Sequence, residues 1–330
     1  MDPFRRKVSE SLRALSGLAL VVTSAAVALG GLAITGEATT AHTSAPGSAS
    51  APALTGAAAS AHPSAAASDA PPAEDMSTSE APGCTIPDPG TGPYREVALG
   101  VANARLHVPA KVPEHFTLLV HFHGGEPVRR LLANRDLGLV YATIDAGVGS
   151  QRYAATVDVH LRERLFHAVE ESTGRTIGKL VLSSWSAGYG AMRAWLTMAP
   201  GSAQALVFLD SIHASYGADG TADPGELRPF FELASHATNG SPFMWLSHSA
   251  IVPPGYASTT EVADAILQHV QGQRRYDGLQ PEHGVLTKTR VDRGAFHVRG
   301  TTGGNEAAHC AHLKMLPAIL ERDVLPYLAR

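Results

Sequence analysis

The 330-residue chain has little charge, few aromatic residues and almost no cysteine. Charged residues make up 17% of it, the formal net charge is −4, and no cluster of Lys and Arg lies beyond the N-terminus. This charge balance gives no electrostatic basis for binding nucleic acid or an anionic membrane surface. Aromatic residues make up only 6%, which argues against a broad surface for stacking on carbohydrate. The chain has no internal repeat, so repeat architectures are excluded as well.

The N-terminus has the pattern of an export signal. Basic residues at 5–7 and at 13 precede an uncharged run over 14–36. That run is long enough to span a bilayer, so residues 1–36 are predicted to be either a cleaved signal peptide or an uncleaved membrane anchor. Both alternatives place the rest of the chain outside the cytoplasm, because the basic end stays inside. An uncleaved anchor is the only membrane contact that the sequence predicts.

Residues 37–83 are dominated by Ala, Ser, Thr, Pro and Gly and show no apolar periodicity. A segment of this kind cannot bury a core, so we predict a disordered linker, with a processed pro-segment as the alternative. Residues 84–330 are numerous enough for about one globular domain with a sizeable core.

The only two cysteines are Cys84 and Cys310. An even count in an oxidising compartment favours a disulfide between them, and two unpaired thiols are the alternative. The bond would hold the start of the globular region beside its C-terminal part. Because it closes a long loop, the chain-entropy model assigns it about 4–5 kcal/mol of stabilisation.

Short apolar runs alternate with segments of helical spacing. Strands are predicted within 94–108 (one or two) and at 116–121, 139–144, 179–184, 205–209, 243–246 and 295–298; helices are predicted at 159–171, directly after 184–188, at 261–271 and at 311–328. This alternation predicts an α/β fold, with a central, mostly parallel sheet and helices on both faces. Sites in such sheets lie beyond the carboxyl ends of the strands. Segment 211–239 is longer than a simple crossover needs and is a candidate for a small cap over that edge, with loop 251–258 on the same rim.

The most informative stretch is Ser184-Trp185-Ser186-Ala187-Gly188, which separates an apolar run from a helical pattern. A strand, a sharp turn and a helix with a central serine are the context of a nucleophile elbow. The turn strains the serine backbone, so the residues two positions away must be small. Gly188 meets this requirement, and Ser184 stands where glycine is usual. The alternative interpretation is an ordinary strand-to-helix turn that contains a serine.

A serine nucleophile needs a base within hydrogen-bond reach, and the base needs an acid to orient it. After an elbow these partners follow in the order acid, then histidine. Asp210 ends the next predicted strand and is the favoured acid, with a turn-capping aspartate as the alternative. His309 lies just ahead of the last predicted helix and is the favoured base. His312 and His297 are the alternative bases.

The run HFHGG at 121–125 follows an early predicted strand. Glycines let a backbone approach a substrate carbonyl, so the N–H of Gly124 or Gly125 is predicted to stabilise an oxyanion together with the N–H of Ala187. The two histidines of the run are an alternative metal pair. The other ligands of a hydrolytic zinc motif are missing, so no metal is predicted.

These motifs, with Leu209-Asp210 and the region of His309, resemble those of the α/β-hydrolase superfamily over about residues 93–330. The chain looks most similar to exported bacterial hydrolases of esterase, lipase or depolymerase type. The resemblance implies an α/β-hydrolase fold and acyl-enzyme chemistry without a cofactor. An acid after the sixth strand, the place of Asp210, is similar to the arrangement in some lipases.

The predicted function is that of an exported serine hydrolase that cleaves carboxylic esters of small-molecule or polymeric acyl substrates. Ser186 is the predicted nucleophile, Asp210 the acid and His309 the base, so that 84–330 form the catalytic domain. One alternative is an amidase or peptidase that acts on peptide or cell-wall substrates. The other is a non-catalytic binding module on the same scaffold.

Overall fold

The computed structural model describes residues 84–330. The predicted signal peptide or anchor at 1–36 and the predicted linker at 37–83 lie outside the described residues. Between residues 84 and 330, no helix combines the length and the apolar character needed to cross a membrane.

A single ten-stranded sheet organises the described residues, in the order β1-β2-β4-β3-β5-β6-β7-β10-β9-β8. Its strands are β1 (Tyr94–Ala98), β2 (Arg105–Pro109), β3 (His115–Phe122), β4 (Val140–Ile144), β5 (Thr176–Trp185), β6 (Ala205–Leu209), β7 (Phe243–His248), β8 (Gln280–Glu282), β9 (Val285–Arg293) and β10 (Phe296–Thr301). The six central strands, from β4 to β10 in the sheet order, run parallel. Antiparallel pairs extend the sheet at both edges. Strands β8 and β9 were not predicted, although β9 alternates buried and exposed positions.

Helices cover both faces of the sheet. They are α1 (Gly125–Leu132), α2 (Ser150–Thr156), α3 (Leu161–Thr173), α4 (Tyr189–Met198), α5 (Pro224–Thr238), α6 (Thr259–His269), α7 (Glu306–Lys314), α8 (Leu316–Ile319) and α9 (Leu325–Leu328). Successive side chains of a strand point to opposite faces, so Leu118 and Val120 of β3 enter one core cluster and Leu119 enters the other. The first cluster includes residues of α3 to α6, and the second includes residues of α1 and α7 to α9. The predicted α/β class is confirmed.

The segment predicted as a candidate cap forms a crossover helix instead. Helix α5 buries Leu227 and Phe230 in the main core, and the Phe230 ring meets Phe208 of β6 at 5.5 Å between centroids. Only the loop at 211–223, before this helix, lies at the carboxyl edge of the sheet.

The last predicted helix begins earlier than expected and is interrupted. Helix α7 starts at Glu306, where the side chain of Asn305 accepts a hydrogen bond from the Ala308 N–H at 3.0 Å. The helix breaks at Met315, and residues 316–328 then continue as helix with a π-helical stretch at Leu320–Val324, just before Pro326, which lacks an N–H donor. His309 therefore lies on the helix and not ahead of it.

Cys84 and Cys310 form the predicted disulfide, with their Cα atoms 5.2 Å apart. Arg129 of α1 holds the same N-terminal segment by a hydrogen bond to the Gly90 carbonyl at 2.7 Å and an ion pair with Asp88 at 2.8 Å. The first described residues are thus fixed to both α7 and α1.

The chain order of the sheet reverses at β3. From β3 the chain passes to β4 on one side, and it then crosses to β5 on the other side of β3. Open parallel sheets bind ligands at the carboxyl ends of the strands where the order reverses. The segments that follow β3 and β5 at this point are 123–125 and 186–188.

Candidate active site

Ser186 follows β5 in a left-handed backbone conformation, with φ of 49°. This conformation is uncommon for any residue other than glycine, and the tight turn that it makes leads directly into α4. A Cβ atom at Gly188 would lie 2.1 Å from the Phe122 carbonyl oxygen, so only glycine fits there. The predicted strand, turn and helix are all present.

Ser184 stands where a glycine is usual in an elbow, and its hydroxyl is buried. The Ser211 hydroxyl donates to the Ser186 carbonyl at 3.1 Å, so the Ser184 hydroxyl is the donor in its own 2.7 Å bond to Ser211. The departure at Ser184 is therefore accommodated by a polar partner that the sequence analysis did not identify.

The Ser186 side chain is half-buried, and its hydroxyl makes no hydrogen bond within residues 84–330. In particular, no hydrogen bond joins the Ser186 hydroxyl to His309 among these residues. The N–H of Ala187 lies in the first turn after Ser186, where a helical N–H has no partner within its own helix. An accessible hydroxyl and a free backbone donor are thus adjacent at this turn.

Asp210 follows β6, is 2% exposed and has φ of 46°. Its Oδ2 lies 2.7 Å from His309 Nδ1, while its Oδ1 accepts from the Ser249 N–H at 2.8 Å and from the Thr259 hydroxyl at 2.5 Å. Burial alone would raise the pKa of Asp210, but these hydrogen bonds and the nearby imidazoles outweigh it and hold the pKa below its usual range. The Asp210 carboxylate is therefore charged and hydrogen-bonded at both oxygens.

His309 is held on two sides. Because a carboxylate can only accept, Nδ1 carries the proton in the bond to Asp210, which leaves Nε2 as the ring nitrogen that can act as a base. Trp185 stacks on the ring at 4.6 Å, and its indole N–H donates to the His309 carbonyl at 3.1 Å. Since Trp185 directly precedes Ser186, this contact brings His309 to the elbow.

Neither of the alternative bases, His312 and His297, forms a hydrogen bond with Asp210 in the described part of the chain. His312 is fully buried and bonds the Ser247 hydroxyl at 2.8 Å and the Thr301 hydroxyl at 3.1 Å. His297 bonds Asp292 at 2.6 Å. Both therefore have other partners.

The predicted oxyanion glycines already have a partner. The N–H groups of Gly124 and Gly125 donate to the two oxygens of Asp145, each at 2.9 Å. Asp145 follows β4, which lies on the side of β3 opposite to β5 and Ser186. Both donors are thus occupied by a carboxylate, a pairing that the sequence could not anticipate because Asp145 follows a different strand.

The two histidines of the HFHGG run have structural partners. His121 bonds the Ser183 hydroxyl and the His123 carbonyl, both at 2.7 Å, and His123 bonds the Tyr153 hydroxyl at 2.7 Å. Burial lowers the pKa of His121 to about 3 and that of His123 to about 4, so both rings are neutral. Within 84–330, no group of three or more His, Cys, Asp or Glu is placed to hold a metal ion.

Sequence reasoning missed Trp185, Ser249 and Thr259. Trp185 had a signal, since it lies inside the elbow sequence itself. No sequence signal indicated Thr259, because it lies in the first turn of α6 and contacts Asp210 only in the folded chain. Only the fold brings Asp210 and Thr259, which are 49 positions apart, into contact.

No protein-family model matches the chain, and no curated protein sequence shows significant similarity to it. Among solved structures, the chain is similar to an S-formylglutathione hydrolase from Agrobacterium tumefaciens, with 12% identity, a TM-score of 0.42 and coverage of 72% of this chain and 94% of that one. It is also similar to a poly(3-hydroxybutyrate) depolymerase from Bordetella parapertussis, with 12% identity, a TM-score of 0.43 and coverage of 68% of this chain and 87% of that one. A third similar structure is an acetyl xylan esterase from Aspergillus awamori, with 12% identity, a TM-score of 0.39 and coverage of 64% of this chain and 93% of that one.

At these identities and TM-scores the likenesses say nothing about the reaction of this chain. The chain's own geometry is more informative: six parallel strands are covered by helices on both faces, and a strained serine joins β5 to α4. The strand order, the helices on both faces and the left-handed serine after β5 are those of the α/β-hydrolase fold.

Proposed function

We propose that this protein is a serine hydrolase that cleaves carboxylic esters. The observation that carries the proposal is the 2.7 Å bond between Asp210 and His309, beside an elbow in which Ser186 has a left-handed backbone. An ordinary strand-to-helix turn requires neither an imidazole oriented by a buried carboxylate nor a strained serine.

In the proposed reaction, the Ser186 hydroxyl attacks the ester carbonyl while His309 Nε2 takes its proton. Asp210 stabilises the resulting imidazolium, which then protonates the departing alcohol. Water, activated by the same imidazole, releases the acid from the acyl-enzyme. The bond between Ser186 and His309 that this requires is often long until substrate binds.

The N–H of Ala187 is the proposed first oxyanion donor, since it adjoins the nucleophile and has no partner in its own turn. Gly124 or Gly125 would serve as the second donor only by exchanging a bond to Asp145 for one to the substrate. The second donor therefore depends on movement of the Asp145 carboxylate.

The test is fluorophosphonate labelling and turnover of p-nitrophenyl acetate by purified protein. Ser186→Ala should abolish labelling and lower kcat by at least about 10³-fold, because the nucleophile is removed. Ser235→Ala is the matched control, since that hydroxyl bonds only the Phe231 carbonyl of its own helix. Undiminished labelling of the Ser186→Ala protein would refute the proposal.

The same assay separates ester from amide chemistry. An anilide analogue that is turned over as fast as the ester would reassign the protein as an amidase or peptidase. A folded protein that neither labels nor turns over any substrate would instead be a binding module.

We also propose that the protein is exported. The support is the disulfide between Cys84 and Cys310, a bond that persists in oxidising compartments, together with the basic and then uncharged N-terminus. Fractionation of cells that express the full chain tests this, and recovery of reduced protein in the cytoplasm would contradict it.

A further inference from the structure

We propose that His213, with Tyr189 and Tyr256, forms a subsite that binds an aromatic ring carrying a hydroxyl group. The inference rests on the proposed function, because it names the class of ester that the same site takes. The ring belongs to either the acyl or the alcohol part of the ester, and the experiment below distinguishes the two.

The subsite lies at the carboxyl edge of the sheet, beside the elbow. Tyr189 is the first residue of α4, three positions after Ser186. His213 belongs to the loop after β6 that begins with Asp210 and Ser211, and the Ser211 hydroxyl bonds the Ser186 carbonyl at 3.1 Å. The elements that carry Tyr189 and His213 are thus tied to the proposed catalytic residues, and Tyr256 joins them through its contact with His213.

The three rings form a continuous aromatic wall. The His213 ring meets Tyr189 edge-on at 5.7 Å and Tyr256 edge-on at 5.1 Å between centroids. These separations are those of favourable edge-to-face aromatic pairs. Tyr256 is 43% exposed, so part of its side chain is accessible to a ligand.

His213 presents a hydrogen-bond acceptor within this wall. Its Nδ1 lies 3.0 Å from the Ala257 carbonyl, which can only accept, so the proton is on Nδ1 and the lone pair is on Nε2. Nε2 has no partner in the described part of the chain and is not a buried atom. Burial lowers the pKa of His213, which keeps the ring neutral and Nε2 unprotonated.

An acceptor flanked by aromatic rings selects a particular ligand chemistry. The tyrosine rings favour an aromatic group, and Nε2 favours a ligand that donates a hydrogen bond. A phenolic hydroxyl supplies both on one ring. A site that hydrogen-bonds a hydroxyl discriminates against the analogue that lacks it, because its own polar atom is then left unpaired.

The experiment measures binding to the full chain carrying Ser186→Ala, so that the result does not depend on turnover. Methyl 4-hydroxyphenylacetate is compared with methyl phenylacetate for the acyl part, and 4-hydroxybenzyl acetate with benzyl acetate for the alcohol part. We expect a roughly tenfold preference for the hydroxylated ester in one of the pairs, as one neutral hydrogen bond provides.

Substitution of His213 then assigns the preference. Adding His213→Phe should reduce the hydroxyl preference to within about twofold, whereas His213→Gln, which keeps an acceptor oxygen, should restore part of it. Tyr256→Leu should weaken both members of the pair alike. Tyr216→Phe is the control, because that phenol is in the same loop but bonds Glu261, and it should leave the preference unchanged.

Equal binding of both esters in each pair, or a preference that survives His213→Phe, would overturn the subsite. If p-nitrophenyl acetate is nevertheless turned over by the unaltered protein, the proposed function stands without it. Conversely, a preference that depends on His213 in a protein with no esterase activity would retain the subsite and refute the proposed reaction.

Discussion

Asp210 combines burial, a left-handed backbone and a complete set of hydrogen-bond donors in one residue. An isolated carboxylate at this depth would be costly, because burial disfavours its charge. The Ser249 N–H and the Thr259 hydroxyl bond one oxygen, which leaves the other for His309. Three hydrogen bonds therefore offset the burial of the Asp210 carboxylate.

Asp210→Asn should lower kcat for p-nitrophenyl acetate by about 10⁴-fold, because an amide no longer enforces the base tautomer of the imidazole. The measurement is steady-state kinetics, with circular dichroism to establish that the protein is folded. Asp219→Asn is the control, since that exposed carboxylate only organises its own turn at Thr221. Activity within tenfold of the unaltered protein would show that Asp210 is not the acid.

At the scale of elements, the loop between β3 and α1 is held from outside by Asp145. His123 and Gly124 have φ of 72° and 80°, and the first N–H groups of α1 receive no cap from Gly124 itself. The Asp145 carboxylate caps them from the end of β4. Two loops at the carboxyl edge are therefore one hydrogen-bonded unit.

Asp145→Ala should lower the free energy of unfolding by about 1–2 kcal/mol, because two N–H groups at the start of a helix lose their acceptor. Urea denaturation measures this change. Asp136→Ala is the comparison, since Asp136 is exposed and lies outside the loop. Equal midpoints for the two variants would mean that the cap does not stabilise α1.

At the scale of the whole molecule, the disulfide joins positions 226 residues apart. It links the segment clamped by Arg129 to helix α7, which carries His309. Because the bond encloses nearly all of the described chain, it limits the conformations of the unfolded state more than any local contact can.

Cys84→Ala should lower the free energy of unfolding by about 2–5 kcal/mol, the usual range for loss of a disulfide. Thermal unfolding of the unaltered protein with and without reductant gives the matched comparison. Reductant should lower its midpoint to that of the variant and leave the variant unaffected. An unaltered protein that is insensitive to reductant would contradict the expectation.

The buried neutral histidines determine how the free energy of unfolding of the domain changes at acidic pH. Burial lowers the pKa from 6.5 to about 4 for His107 and His123 and to about 3 for His121 and His248. From pH 6.5 down to these values the unfolded chain binds more protons than the folded one, so the free energy of unfolding decreases as the pH falls.

Lowering the pH from 7.5 to 5.5 should therefore destabilise the domain by roughly 1 kcal/mol for each such histidine. Urea denaturation at both values measures the loss. His121→Asn should reduce the difference between the two pH values by about the share of one histidine, whereas His160→Gln, at an exposed position, should not change it. A stability that is the same at both pH values would refute this account.

Local patterns predicted much of this molecule. Apolar runs of strand length indicated all six parallel strands, and small residues around Ser186 indicated the turn between β5 and α4. These features depend on neighbours in the chain, which is why the sequence by itself determined them. The polar edge strands β8 and β9 and the early start of α7 were missed, because their signals are weak and lie at element boundaries.

Only the tertiary structure decided which side chains meet. It selected His309 over His312 for the bond to Asp210, supplied Ser211 as the partner of Ser184, and directed Gly124 and Gly125 to Asp145. These pairs join loops after different strands, and a hydrogen bond depends on tenths of an ångström, which periodicity and spacing do not encode. The sequence determined which residues stand at the carboxyl edge of the sheet, and the packing of the two faces decided their partners there.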